Sequence, residues 1–366
     1  MSSLVTRCEA SAGKLTTMKY RNVAATGMRI SEIGFGSGDN AGLMVNGTFK
    51  QQVESVEHAL AAGINYFDTS PDYGKGVAET NIGKVMREIG FRPFLTTKVE
   101  IMPNELDHVA DAVVESVDES LKRLGVDFVD VVQIHNPPGM ETDITVPGWI
   151  HLGLNDYLGP NGALEGLERV RRAGKTRFFG FANEDANSEA VHTLLETREF
   201  HMINVWYDLL NPTAGMTKPD GLDIQHDYGR FIDRAFELGV GVAVIRPLAG
   251  GVLTDHAVAG GKRHALAGGG LTRNADAYQA MVQRALPFAF LSRQDQTLSQ
   301  AAYRFILQHP GVTTVLGGYS ELAHLEEAVA CSGADPLSDE DMAYMEMVWR
   351  SNCGRWSAEE QFISGL

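Results

Sequence analysis

INYFDTSPDYGKGVAETNIGKVMREIGFRPFLTTK, residues 64–98, decides the fold. An apolar, β-rich run ends in Asp68, an amphipathic segment follows, and a second apolar run ends in Lys98. That is one strand–helix–strand unit of the parallel kind. Outward in both directions the alternation repeats. Strands are predicted at 32–35, 64–68, 94–98, 129–135, 177–181, 202–207, 241–245 and 314–316. Between them lie segments with apolar residues at helical spacing. One has Val109, Val113, Val114, Val117, Leu121 and Leu124 on one face and Gly125 as its stop. Eight such pairs in unbroken alternation predict a single α/β domain over 18–366, closed as a (β/α)8 TIM barrel. A short hairpin, MKYRNVA and MRISEI joined at Thr26-Gly27, should precede it, and residues 1–17 read as a disordered leader. An open doubly wound sheet is the weaker alternative, because GFGSGDN rather than GxGxxG follows the first strand.

Three predicted connections are long: 136–162, 210–228 and 247–297. All leave the C-terminal ends of strands, where barrel enzymes keep their sites, and so are candidate lids and substrate walls. Trp149, Tyr157, Trp206 and Trp356 could line such a wall or could be packing residues. The tail from Ser338 reads as a segment docked on the barrel or folded over the same rim.

Composition narrows the function. A formal charge of −16 over 366 residues, with no local Lys/Arg run, argues against nucleic-acid binding. No run of eighteen apolar residues predicts a membrane span. Three scattered cysteines, Cys8, Cys331 and Cys353, offer neither a disulfide framework nor metal-ligand spacing. A cytoplasmic location is the expectation.

The chemistry-bearing residues fall at strand ends. Asp68, Lys98 and His135 lie 30 and 37 positions apart, the length of one strand–helix repeat, and Tyr73 follows Asp68 in the same loop. In a barrel all four side chains would reach one rim. Alone, each has an ordinary reading: a turn cap, a core aromatic, a solvated charge, a structural imidazole. Together they make a proton-delivery site. An ammonium beside the phenol would lower its pKa from near 10, the carboxylate would hold the ammonium, and the imidazole would orient a reacting oxygen. No GxSxG, Cys–His pair, HxH or HExxH suggests a nucleophile or a metal, so hydride should come from a cofactor.

MKYRNVAATGMRISEIGFGSG, GINYFDTSPDYGKGVAETNIGKVM, SLKRLGVDFVDVVQIHNP, GKTRFFGFAN, INVWYDLLNP, GVGVAVIRPLAGGVLT and HPGVTTVLGGYSELAHLEEA occur in that order. In this series the chain resembles the aldo-keto reductases from about Met18 to Val329. The resemblance implies that Asp68, Tyr73, Lys98 and His135 form the family's tetrad, with Tyr73 the general acid/base. It implies that Asn183 holds the nicotinamide carboxamide, that Asn204 also binds the cofactor and that Tyr207 stacks on the ring. Leu248, Gly250 and Leu253 would wrap the pyrophosphate, and Gly317, Gly318, Tyr319, Glu326 and Glu327 would border the adenosine.

The chain also departs from the pattern. Ala182 replaces a usual Ser, Asn204 a usual Gln, and Ala328 an adenine-edge Asn. No Lys or Arg occurs in 317–327 to clamp a 2′-phosphate, although Lys262, Arg263 or Arg273 in the long loop could substitute. The resemblance therefore implies an NAD(P) enzyme with NADP(H) preferred over NAD(H), no metal, and a small carbonyl or sugar substrate. DTSPDYG and the missing clamp also resemble the family's sugar dehydrogenases, which run the reaction as an oxidation. A cofactor-binding regulatory subunit, as in channel-associated members, is the rival from another class. A barrel metal hydrolase is a third, for which no ligand set can be assembled.

Overall fold

The computed structural model describes residues 18–145, 150–268 and 274–354. The expected leader at 1–17, together with Trp149, Arg273 and Trp356, lies outside the described residues. Eight parallel strands close into a barrel: β1 (Ile33–Gly36), β2 (Tyr66–Asp68), β3 (Phe94–Val99), β4 (Val129–Ile134), β5 (Thr176–Ala182), β6 (Met202–Trp206), β7 (Gly241–Ile245) and β8 (Thr314–Gly318). Each pairs with the next in chain order, and β8 closes on β1 through Val315↔Ile33 to Gly318↔Gly36. Each predicted strand is present, 241–245 with the same ends and the others with an end shifted by one or two residues.

Helices follow the strands: α1 (Phe49–Ala61), α2 (Val77–Ile89), α3 (Val109–Leu124), α4 (Ala163–Arg172), α5 (Ser188–Glu196), α6 (Phe231–Glu237), α7 (Leu298–Leu307) and α8 (Leu322–Val329). In α3 the predicted face, Val109, Val113, Val117, Leu121 and Leu124, is buried, and Val114 only partly so. Gly125 ends it at φ 68°, donating its N–H to the Leu121 carbonyl at 2.8 Å.

The side-chain period of two along each strand divides the apolar residues into two cores. Phe35, Phe67, Leu95, Val132, Ile134, Phe181, Val205 and Val244 face the helices. The smaller core inside the barrel holds Tyr66, Val131, Met202, Ala243 and Leu316, and Val23, Met28 and Ile30 belong to it. Those last three come from the predicted hairpin, Tyr20–Asn22 against Arg29–Ser31, which thus plugs the N-terminal end. With that end filled, the charged and amide inward residues Asp68, Lys98, Gln133 and Asn204 stand toward the C-terminal mouth. The helix Asp339–Arg350 docks beneath the loop after β6, where Trp349 is buried and donates Nε1–H to the Leu209 carbonyl at 2.7 Å.

Candidate active site

Inward positions at the top of β2, β3, β4 and β6 carry Asp68, Lys98, Gln133 and Asn204. Strand register pairs Asp68 with Thr96, so Lys98 starts two residues higher and its side chain reaches back to the carboxylate. Lys98 Nζ donates to Asp68 Oδ1, to the Thr69 carbonyl at 2.9 Å and to the Tyr73 hydroxyl at 3.3 Å. Asp68 and Lys98 are only 2% and 1% exposed, so this ion pair sits in the barrel, not in water. Asn204 donates Nδ2–H to the other Asp68 oxygen at 3.1 Å and accepts from Gln133 Nε2 at 3.0 Å. Its amide keeps one N–H and one lone pair for a further partner.

His135 follows β4, its N–H bonded to the Val99 carbonyl at 2.7 Å. Its imidazole meets the Tyr73 ring edge-on, with centroids 6.0 Å apart. Nδ1 lies 3.4 Å from Ser70 Oγ. The four residues expected at one rim are therefore together.

Their electrostatics differ from the expectation for Tyr73. Burial, then the carboxylates of Asp68, Glu184, Asp72 and Asp39, holds its hydroxyl well above the ordinary phenol range. The adjacent ammonium was expected to lower it. Lys98 is already neutralised by Asp68, so its field at the phenol is largely cancelled while the desolvation remains. Burial, with the Lys98 and Arg246 cations, pushes His135 well below its usual value, so the imidazole is neutral. Thus the site holds a protonated phenol and a neutral histidine beside the Lys98–Asp68 ion pair. The phenol therefore carries its proton at neutral pH.

Several site residues had no sequence signal. Arg246 follows β7 in the left-handed region (φ 54°), forms an ion pair with Glu184, and lies 4.7 Å over the Trp206 ring. Trp206 in turn donates Nε1–H to Asp208 at 2.7 Å, and burial pushes that carboxyl up to about 6. Glu100, just past β3, brings its carboxylate within 4.8 Å of ligand atoms of Asp72 and His135. This trio comes from three separate loops, so no sequence spacing reveals it.

Burial, then Asp72 and Glu105, pushes Glu100 up to about 7. The folded chain holds this proton more tightly than the unfolded chain, a contribution complete below the ordinary carboxylate pKa and lost as pH rises through about 7. Glu100→Gln is therefore expected to melt about 1–2 °C above the parent near pH 8, with the difference gone near pH 4. Thermal melts across pH check this, and a difference that grows toward acid would contradict it.

The residues fit a nicotinamide cofactor on a structural observation. Both polar atoms of the Asn183 side chain are buried without a hydrogen-bond partner, which is the state of an amide awaiting another amide. Gly250 and Gly251 take φ of 73° and 91°, and no atom lies within 4 Å of where a Gly251 Cβ would stand. The turn is glycine-built and open.

Other expected contacts are not brought to the mouth. Tyr207 lies one residue past Trp206, on the opposite parity, so its ring faces outward against Phe305 and His309, with centroids 5.1 and 6.1 Å away. Stacking on the nicotinamide is corrected accordingly, and Trp206 is the aromatic that shares the inward parity of Asn204. Tyr319 likewise turns to the outer face, donating to the Gly34 carbonyl at 3.0 Å and packing on Phe35. The Leu253 N–H is bonded to the Leu248 carbonyl at 3.2 Å, leaving Leu248 and Gly250 as the turn's remaining candidates. Gly317 backs onto Tyr319, and Gly318 is exposed at the rim. Glu326 faces His58 on α1 at 3.5 Å, and Glu327 accepts from Thr297. Tyr157, considered for a substrate wall, is buried with its hydroxyl on the Asn136 carbonyl at 2.6 Å.

Comparison with known proteins agrees with this architecture. The Aldo/keto reductase family profile matches residues 32–350. Aldo-keto reductase YhdN of Bacillus subtilis (strain 168) is 33% identical over 199 residues, covering 52% of this chain and 54% of that protein. The chain thus spans about half of YhdN's length in that match. L-galactose dehydrogenase of Arabidopsis thaliana is 25% identical over 329 residues, covering 86% of this chain and 88% of that protein. The solved holo form of aldo-keto reductase AKR11C1 from Bacillus halodurans shares the fold, with a TM-score of 0.64 at 22% identity, covering 90% of this chain and 96% of that one.

Proposed function

Because this chain belongs to the aldo/keto reductase family, we propose that it reduces an aldehyde or ketone with a nicotinamide cofactor, Tyr73 acting as the general acid. The observation that carries this reading is the bonding of Lys98 Nζ to Asp68, Thr69 and Tyr73 at once, beside a neutral His135. A reduced nicotinamide, when bound, would supply the hydride, and with it both electrons, to the carbonyl carbon. Tyr73 gives its O–H proton to the carbonyl oxygen, and Lys98 stabilises the phenolate left behind until solvent returns the proton. If Nδ1 of His135 accepts from Ser70, its proton is on Nε2, where it can hold the carbonyl oxygen. Asn183, with the spare capacity of Asn204, would hold the carboxamide.

A phenol kept protonated favours reduction over oxidation of an alcohol or sugar near neutral pH. NADPH as the preferred cofactor rests on Lys262 and Arg263. They ride on a strap that leaves β7 and is pinned across the rim by Gly268 N–H to the Asp39 carbonyl (3.0 Å) and Asn46 Nδ2–H to the Leu266 carbonyl (2.9 Å). Titration with each dinucleotide, read by tryptophan quenching, tests the preference. Replacing both cations with Ala should shift the NADPH-to-NADH affinity ratio about tenfold toward NADH. Aldehyde-dependent oxidation of either dinucleotide tests the reaction. Tight binding without it would instead fit a cofactor-holding interaction subunit.

A further inference from the structure

Three strand ends meet at one side of the mouth. Register sets Trp206 of β6 beside Ile245 of β7, and Asn204 beside Ala182 of β5. Ile245 packs against the inner core, so strand alternation would send Arg246 to the outer face. Its backbone at φ 54° breaks that alternation, and the guanidinium instead lies 4.7 Å over the Trp206 ring. A non-glycine residue persists in this region only where its surroundings over-determine it.

Those surroundings are specific. The guanidinium is paired with Glu184, the two side chains being only 15% and 16% exposed, so the pair lies largely out of water. At its edge the indole donates Nε1–H to Asp208 at 2.7 Å. Trp206 is thus held at its edge by one carboxylate, and on one face by a cation that a second carboxylate holds. The ring itself is only partly buried. Asn183, which precedes Glu184, donates its backbone N–H to the Asn204 carbonyl at 3.1 Å, and neither polar atom of its buried side chain has a partner. An unpaired amide beside a fixed indole suits a flat ring that carries a carboxamide.

Resting on the reductase reading above, we propose that Arg246 is a positioning residue for the dinucleotide. Held by Glu184, it fixes the plane of Trp206, so that the indole face away from the guanidinium receives the nicotinamide ring while Asn183 takes its carboxamide. Arg246 acts through Trp206 and not by touching the reacting atoms.

A double-mutant cycle on the full chain tests this. Glu184→Gln with Arg246→Met removes the cation and leaves no unpaired charge. Calorimetric titration should show the dissociation constants of NADPH and NADH raised about tenfold by this pair of changes. In a Trp206→Ala background the same pair should change them less than threefold, because no indole plane is left to fix. A second readout needs no dinucleotide. The near-ultraviolet circular dichroism that the parent loses in Trp206→Ala should also be lost in the Glu184→Gln, Arg246→Met chain, with the far-ultraviolet signal kept. Arg246→Lys keeps a charge opposite Glu184 but not the planar stack, and carries the same test if the paired variant loses its far-ultraviolet signal. Affinities within threefold of the parent's, a loss of more than threefold in the Trp206→Ala background, or an unchanged near-ultraviolet band overturns the inference, while aldehyde reduction by the parent leaves the reductase reading standing. A parent that binds neither dinucleotide overturns both.

Discussion

Tyr73→Phe should lower kcat for aldehyde reduction by about 10²–10⁴-fold, the range that a positioned general acid contributes. It should leave the dissociation constant of the dinucleotide within about twofold and the melting temperature within about 2 °C. The reasoning is local. The hydroxyl accepts a single 3.3 Å hydrogen bond from Lys98, whose ammonium keeps Asp68 and the Thr69 carbonyl when the oxygen is removed. No buried partner is left unpaired, so the fold should not register the change. The reaction should, because the neutral imidazole of His135 is a poor acid at neutral pH and does not replace the phenol proton that Lys98 holds in place. Stopped-flow single turnovers alongside dinucleotide titration separate the two quantities. Turnover within threefold of the parent would remove Tyr73 from the mechanism.

Lys98→Met should be damaging in a second way. Asp68 is almost fully buried and has Lys98 as its cation. Removing one partner of such a pair costs about 3–5 kcal/mol, because the other charge stays in the barrel uncompensated. Activity should fall at least as far as in Tyr73→Phe, since the phenolate formed on proton transfer loses its stabilising charge. The decisive chain is the double variant Asp68→Asn with Lys98→Met. Two neutral side chains remove the unpaired charge, so it should regain about half or more of the lost stability while remaining inactive. Denaturant unfolding of both variants measures this. A double variant no more stable than Lys98→Met would mean that the ion pair is not what the barrel top depends on.

Much of this site is legible in the linear sequence. The strand ends at Asp68, Lys98 and His135 are local consequences of apolar runs, and one strand–helix repeat between each in a closed parallel barrel brings such ends to one rim. The same alternation could have corrected Tyr207. Asn204 faces inward, so Trp206 must as well and Tyr207 must not. Tyr319, an odd number of positions beyond the inward Leu316, fails for the same reason. Glu100, Ser70, Gln133 and the Arg246–Glu184 pair carried no spacing signature, because their partners come from different loops and distant strands.

Backbone periodicity is short-ranged, so the order of strands and helices, the hairpin, the closure of the barrel and the identity of the four rim residues were already present in the linear chain. Charge is not short-ranged in that sense. Whether Lys98 would sharpen Tyr73 as an acid depended on how tightly Asp68 held it and on how many other carboxylates crowded the mouth. Desolvation and through-space fields sum over neighbours from every loop. Only the folded chain decided that the phenol stays protonated, that the imidazole stays neutral and that Glu100 stands beside them.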